Sequence, residues 1–134
     1  TELKDKNLGI HAYGNVGRLV GNIAKGFGMK IFAFDPFVDK SSIEKDGVTA
    51  LDSVEALYEK CQYISLHIPA NDKTKNSINY NLLNLMPQNG TLVNTARKEV
   101  MDEDGLLFLD WVFILPVEIK VIVVVHRNCH LWLS

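Results

Sequence analysis

Leu8–Asp35, LGIHAYGNVGRLVGNIAKGFGMKIFAFD, is the stretch that decides the fold. Leu8 to Tyr13 is a short apolar run without helical spacing, the pattern of a buried strand. Ala12-Tyr13-Gly14-Asn15-Val16-Gly17 then follows the spacing G-x-G-x-x-G, with alanine in the first place. From there Val16, Val20, Ile23, Ala24 and Phe27 fall on one face of a helix. Gly28 suits the left-handed residue just past that helix. Met29 to Phe34 reads as a second strand, and Asp35 stands at its end.

Each part has a mechanical use if the ligand is a dinucleotide. Glycine at 14 lets backbone approach a pyrophosphate that a Cβ would strike, and glycine at 17 lets helix pack closely on strand. Free N–H groups around Asn15 and Val16, with the helix dipole behind them, attract phosphate charge. Asp35, about 20 residues on, is placed to accept hydrogen bonds from the adenosine ribose. The bland alternative is a βαβ unit whose glycines serve packing alone. The register of strand, helix, strand and acid favours the dinucleotide.

Outward from this unit, 134 residues suffice for one domain with a core and fall short of a usual two-domain enzyme. A charge of −2 makes no electrostatic case for nucleic acid or an anionic membrane. Cys61 and Cys129 have no metal or redox spacing, so no metal site is expected and a reduced, cytoplasmic setting is the default. The chain opens on Thr1-Glu2-Leu3-Lys4 without a signal-like core, as if in the middle of something longer.

After Pro36, residues Phe37 to Asp46 form a mixed connection with room for one helical turn. Asp52 or Ser53 can cap a helix reaching about Lys60. Gln62 to Ile68 is a third strand, closed by Pro69, and Asn71 to Lys75 a polar loop. Asn76 or Ser77 starts a helix carrying Ile78, Leu82, Leu83 and Leu85. Thr91 to Asn94 is a fourth strand, Thr95 to Lys98 a ligand-facing loop, and Glu99 to Leu107 turns helical. Alternating strands and helices imply a Rossmann-like α/β fold, a doubly wound parallel sheet. The domain is expected to span 1–107. Residues 108–134 change texture: few turn residues and no clean period, with Val121 to Val125 a candidate for one strand. Pro116, Glu118 and Lys120 interrupt any membrane span. We expect this tail to be foreign to the sequence that evolved to follow Leu107.

Five segments in order (LGIHAYGNVGR, KGFGMKIFAFDP, SLHIPANDKTKNSIN, LLNLMPQNGTLVNTAR and KEVMDEDGL) resemble the nucleotide-binding domain of the D-isomer-specific 2-hydroxyacid dehydrogenases. HAYGNVGR and NTARKEV are most like its phosphoglycerate branch, in serine biosynthesis. The resemblance implies NAD as cofactor, a small 2-hydroxy or 2-oxo acid as substrate, and a homo-oligomeric parent enzyme. A second class of function is a non-catalytic NAD(H)-responsive module of the corepressor type.

Residue by residue, the resemblance lines the cofactor with Tyr13, Gly14, Asn15, Val16, Gly17, Asp35 and Pro36, then His67, Ile68, Pro69 and Thr74. Thr95, Ala96 and Arg97 would lie beneath the nicotinamide. Arg97 matches the catalytic arginine, whose planar fork of donors suits a carboxylate and stabilises charge on the oxygen as hydride moves. His67 has a bland reading as a structural histidine, and Arg97 as a surface ion-pair partner. The family also needs a general acid/base histidine with a partner glutamate. Glu118, His126 and His130 are present in the tail, outside the family's flanking pattern, and take no role.

Overall fold

A computed structural model of the chain describes residues 3–87, 90–94, 100–102, 111–114 and 122–126. In chain order the elements are β1 (Asn7–His11), α1 (Asn15–Gly26), β2 (Lys30–Phe34), α2 (Lys40–Glu44), β3 (Thr49–Ala50) and α3 (Val54–Lys60). They continue with β4 (Tyr63–Leu66), α4 (Tyr80–Leu83), β5 (Thr91–Asn94), β6 (Trp111–Ile114) and β7 (Ile122–His126). They form one sheet in the order β3-β2-β1-β4-β5-β7-β6. The pairs β3–β2, β2–β1, β1–β4 and β4–β5 are parallel.

The two faces of the sheet carry separate cores, as a doubly wound sheet requires. Leu8, Ile10, Ile31 and Ala33 pack with Ala24 of α1 and Ile43 of α2. On the other side Phe32, Leu66 and Leu92 pack with Leu57 and Tyr58 of α3, Cys61 just past its end, and Leu83 of α4. From β1 the chain builds one way through β2 to β3, then crosses over to β4 on the other side. The reversal puts a crevice beyond the carboxyl ends of β1 and β4, where open α/β sheets bind ligands.

The first helix corrects the sequence reading. Its buried residues are Gly17, Gly21 and Ala24, with Val20 packed against that core. Val16, Leu19, Ile23 and Phe27 are exposed, between 59% and 64%. Of the stripe that the period marks, Val20 and Ala24 meet the core while Val16, Ile23 and Phe27 do not, so the sheet-facing side is turned toward Gly17 and Gly21. Close contact with the strands selects the glycine face, because a Cβ at Gly17 would lie 2.6 Å from the Ala12 carbonyl oxygen. Gly28 does occupy the left-handed region, at φ 78°.

Ser53 caps α3 as expected, its hydroxyl accepting from the Ala56 N–H at 3.1 Å. The helix expected from Asn76 or Ser77 starts later. Asn76 sits at φ 57°, and Ile78 is extended, bridging to Met101. The cap is Asn79, whose side-chain oxygen accepts from Leu82 N at 3.0 Å. Two residues of β3 are too few to show a period, and sequence reading passed over them. The tail contributes two strands where one was expected: β7 lies antiparallel on β5, and β6 antiparallel on β7. The expectation of helix within 99–107 falls largely outside the described residues.

Candidate functional site

The glycine turn leaves β1 at the centre of the crevice. Ala12, in the first glycine position, has φ 79°, a conformation that costs an L-residue about 1–2 kcal/mol. Its N–H reaches the Phe34 carbonyl at 2.9 Å, so the turn is tied to the end of β2. Gly14 follows at φ −86°, and no atom lies within 4 Å of where its Cβ would be. Packing therefore does not require glycine at 14, whereas it does at 17. Gly14, Asn15 and Val16 are exposed at the start of α1, so this end of the helix, its first N–H groups unpaired within it, is open to an anion.

Asp35 is held from two sides. Its Oδ2 accepts from Tyr13 N–H and its Oδ1 from Phe37 N–H, each at 2.8 Å. Each oxygen keeps a lone pair for a further donor, as a diol would supply. Pro36 is exposed beside it.

The other lip of the crevice follows β4. His67 N–H donates to the His11 carbonyl at 3.0 Å, extending the β1–β4 pairing past the last strand residue. The His67 ring pairs through Nε2 with Ser65 Oγ at 2.8 Å, and burial lowers its pKa. Ile68 is buried and Pro69 exposed. Thr74 closes its own loop: its hydroxyl accepts from Asn71 N–H at 2.9 Å and donates to the Pro69 carbonyl at 2.5 Å. The cofactor-binding expectations at 13–17, 35–36 and 67–69 thus follow the carboxyl ends of β1, β2 and β4, with Tyr13, Gly17 and Ile68 buried and Thr74 closing the adjoining loop. Thr95, Ala96 and Arg97 lie outside the described residues, as do Glu118 and His130.

Sequence reading missed a buried pair beneath this site. His11 ends β1, and its Nδ1 lies 3.0 Å from the Tyr58 hydroxyl of α3, with the rings edge to face. A histidine inside an apolar strand was the available signal. Burial pushes the His11 pKa from 6.5 down to about 4, partly offset by attraction to Asp35. The unfolded chain therefore takes up a proton below about pH 6.5 that the folded chain refuses until about pH 4. Stability should fall with pH across that window, by up to about 1.4 kcal/mol per pH unit. Urea midpoints at pH 7, 6 and 5 test this. His67 contributes in the same sense, so the decisive comparison is His11→Phe, whose pH slope should be shallower. An unchanged slope would remove His11 from the account.

No helix among the described residues is long and apolar enough to cross a membrane, and among them no group of His, Cys, Asp and Glu could hold a metal.

Five parallel strands in the order β3-β2-β1-β4-β5, a glycine turn with open space at its second glycine, and a doubly anchored carboxylate after β2 together define a dinucleotide-binding domain. Residues 1–109 match the NAD-binding domain of the D-isomer specific 2-hydroxyacid dehydrogenases. The chain belongs to that family.

It is 37% identical over 105 residues to D-3-phosphoglycerate dehydrogenase of Methanocaldococcus jannaschii, covering 78% of this chain and 20% of the relative. Glyoxylate reductase of Thermococcus litoralis is also 37% identical over 105 residues, covering 78% and 31%. Among solved structures, NAD+-bound 3-phosphoglycerate dehydrogenase of Entamoeba histolytica superposes with a TM-score of 0.73 at 46% identity. That match covers 80% of this chain and 33% of the other. The chain thus spans a fifth to a third of the length of these relatives.

Proposed function

We propose that this chain is the NAD-binding part of an oxidoreductase acting on the CH–OH group of a D-2-hydroxy acid, with 3-phosphoglycerate as substrate. The observation that carries the cofactor half is the vacant approach to Gly14 beside the anchored Asp35. Asn15 and Val16 would hold the pyrophosphate and Asp35 the adenosine ribose. His67, Ile68 and Pro69 would line the other side. NAD supplies a hydride acceptor at its nicotinamide when bound. Arg97 would orient the acid's carboxylate and stabilise charge on the reacting oxygen. The choice of 3-phosphoglycerate rests on the Methanocaldococcus and Entamoeba relatives, against the glyoxylate reductase among the others. We assign the parent enzyme to the cytoplasm as a homo-oligomer, a setting that suits the buried free thiol of Cys61.

We further propose that the 134 residues alone bind NAD+ without turning over. Oxidising the hydroxyl needs a group to accept its proton, assistance worth on the order of 10²–10⁴ in rate, and no histidine or glutamate of residues 108–134 lies in the family's flanking pattern. The purified chain should bind NAD+ by calorimetry yet form no NADH with 3-phosphoglycerate, nor oxidise NADH with 3-phosphohydroxypyruvate. Turnover lost in Arg97→Ala would overturn the inactivity and direct attention to His126 and His130. Failure to bind NAD+ at all would sink the cofactor reading. NAD(H) binding in a full-length parent that never turns over would favour the corepressor type.

Residues 108–134 we assign to a segment foreign to the family's domain, a boundary supported to within two residues by the end of the family match at 109. By hydrogen exchange, β6 and β7 should then be less protected than β1 and β2. Equal protection would make the tail an integral element.

A further inference from the structure

Tyr13 joins two carboxylates. Its backbone N–H holds Asp35 Oδ2 at 2.8 Å, and its hydroxyl donates to Asp46 Oδ2 at 2.7 Å, across 33 residues of sequence. The residue is 1% exposed. Arg18, in the first turns of α1, completes the arrangement: its Nε lies 3.0 Å from the same Asp46 oxygen, and its guanidinium stands 5.3 Å from the centre of the Tyr13 ring. Asp46 is itself fixed, its N–H donating to the Ile43 carbonyl at 3.1 Å, with Ile43 buried in the core. The residue before Tyr13 is the strained Ala12, at φ 79°. Strained backbone persists only where its surroundings over-determine it.

We propose that Asp46 is a positioning residue for the dinucleotide, acting through the Tyr13 hydroxyl to hold the strained turn in its binding shape. This rests on the dinucleotide reading of the crevice. Asp46 meets the site through the Tyr13 hydroxyl and the Arg18 guanidinium. It fixes the far end of Tyr13, whose near end sets the ribose carboxylate, while Arg18 ties the same oxygen to the helix that presents Asn15 and Val16. Release of the hydroxyl lets Ala12 relax toward negative φ, and the carboxylate and the helix N-terminus then lose their common geometry. A plain core tyrosine whose hydroxyl happens to find a partner would add stability with no special bearing on Ala12.

The distinction lies in the coupling between positions 12 and 46. Glycine takes positive φ without steric cost, so Ala12→Gly should make the latch less necessary. NAD+ titrations of the 134-residue chain would compare Asp46→Asn and Tyr13→Phe, each alone and combined with Ala12→Gly, with circular dichroism and melting curves alongside. Each single variant should weaken NAD+ by about 10-fold, as expected for one lost charge-assisted hydrogen bond. Ala12→Gly should recover most of that loss. If the variants lower the melting temperature with NAD+ affinity unchanged, or if Ala12→Gly restores nothing, the positioning role is wrong. Should an unstable Asp46→Asn obscure the reading, the isosteric loss in Tyr13→Phe decides by the same criterion. An unmodified chain that fails to bind NAD+ would overturn the dinucleotide reading and this proposal with it.

Discussion

Gly14→Ala should melt like the unmodified chain and lose NAD+, whereas Gly17→Ala should lose the fold's stability first. The two glycines lie three residues apart in one motif, yet the structure gives them opposite reasons. At Gly17 a Cβ would lie 2.6 Å from the Ala12 carbonyl oxygen and 3.0 Å from Ile10 Cγ2. The first is backbone of the strained turn and the second a buried strand residue, so neither gives way cheaply. Overpacking of this kind costs about 1–3 kcal/mol, a fall in melting temperature on the order of 10 °C for a domain of this size.

At Gly14 nothing lies within 4 Å, and φ −86° suits any residue. Alanine there removes freedom from the unfolded chain and should hold or slightly raise the melting temperature. Its methyl group would occupy the approach to the pyrophosphate, and we expect NAD+ to weaken by about 100-fold, equivalent to about 2.7 kcal/mol. Scanning fluorimetry and calorimetry on the two variants check both halves. Undiminished NAD+ binding by Gly14→Ala would mean that the pyrophosphate does not pass over this residue.

The second large effect concerns the adenosine ribose. Asp35 presents a carboxylate locked by the Tyr13 and Phe37 N–H groups, so it cannot swing away from a 2′-phosphate. Pro36 and Phe37, the next residues, offer no cation to compensate. Like charges 4 Å apart repel by about 4 kcal/mol at an effective dielectric of 20, and solvent at this partly open rim lessens that. NADP+ should therefore bind about 100-fold more weakly than NAD+. Asp35→Ser should narrow the ratio and weaken both dinucleotides, because the carboxylate also anchors the turn. Equal or tighter binding of NADP+ by the unmodified chain would refute the role given to Asp35.

The sequence alone determined the βαβ unit, the glycine turn, the acid after β2, a capped helix beginning after Asp52 or Ser53 and the class of cofactor. These are local properties: a period of two or of 3.6, a turn residue at a fixed offset, a hydroxyl three residues before the N–H it accepts from. Family resemblance extended that reading to Arg97 and the segment after β4. The glycine motif also placed Gly17 against the strand; only the tertiary structure showed that Gly21 joins it while Val16, Ile23 and Phe27 stay exposed, because close approach is a property of two elements together.

The same holds for Ala12, whose sequence position says that glycine would be usual and whose φ says what alanine costs there. The partners of Tyr13 and His11 lie 33 and 47 residues away. No periodicity encodes such pairs, since a hydrogen bond between distant residues depends on how the intervening helices pack. Likewise β3 and β6 exist because a neighbouring strand offers them a ladder, a stabilisation that a two- or four-residue segment does not carry by itself.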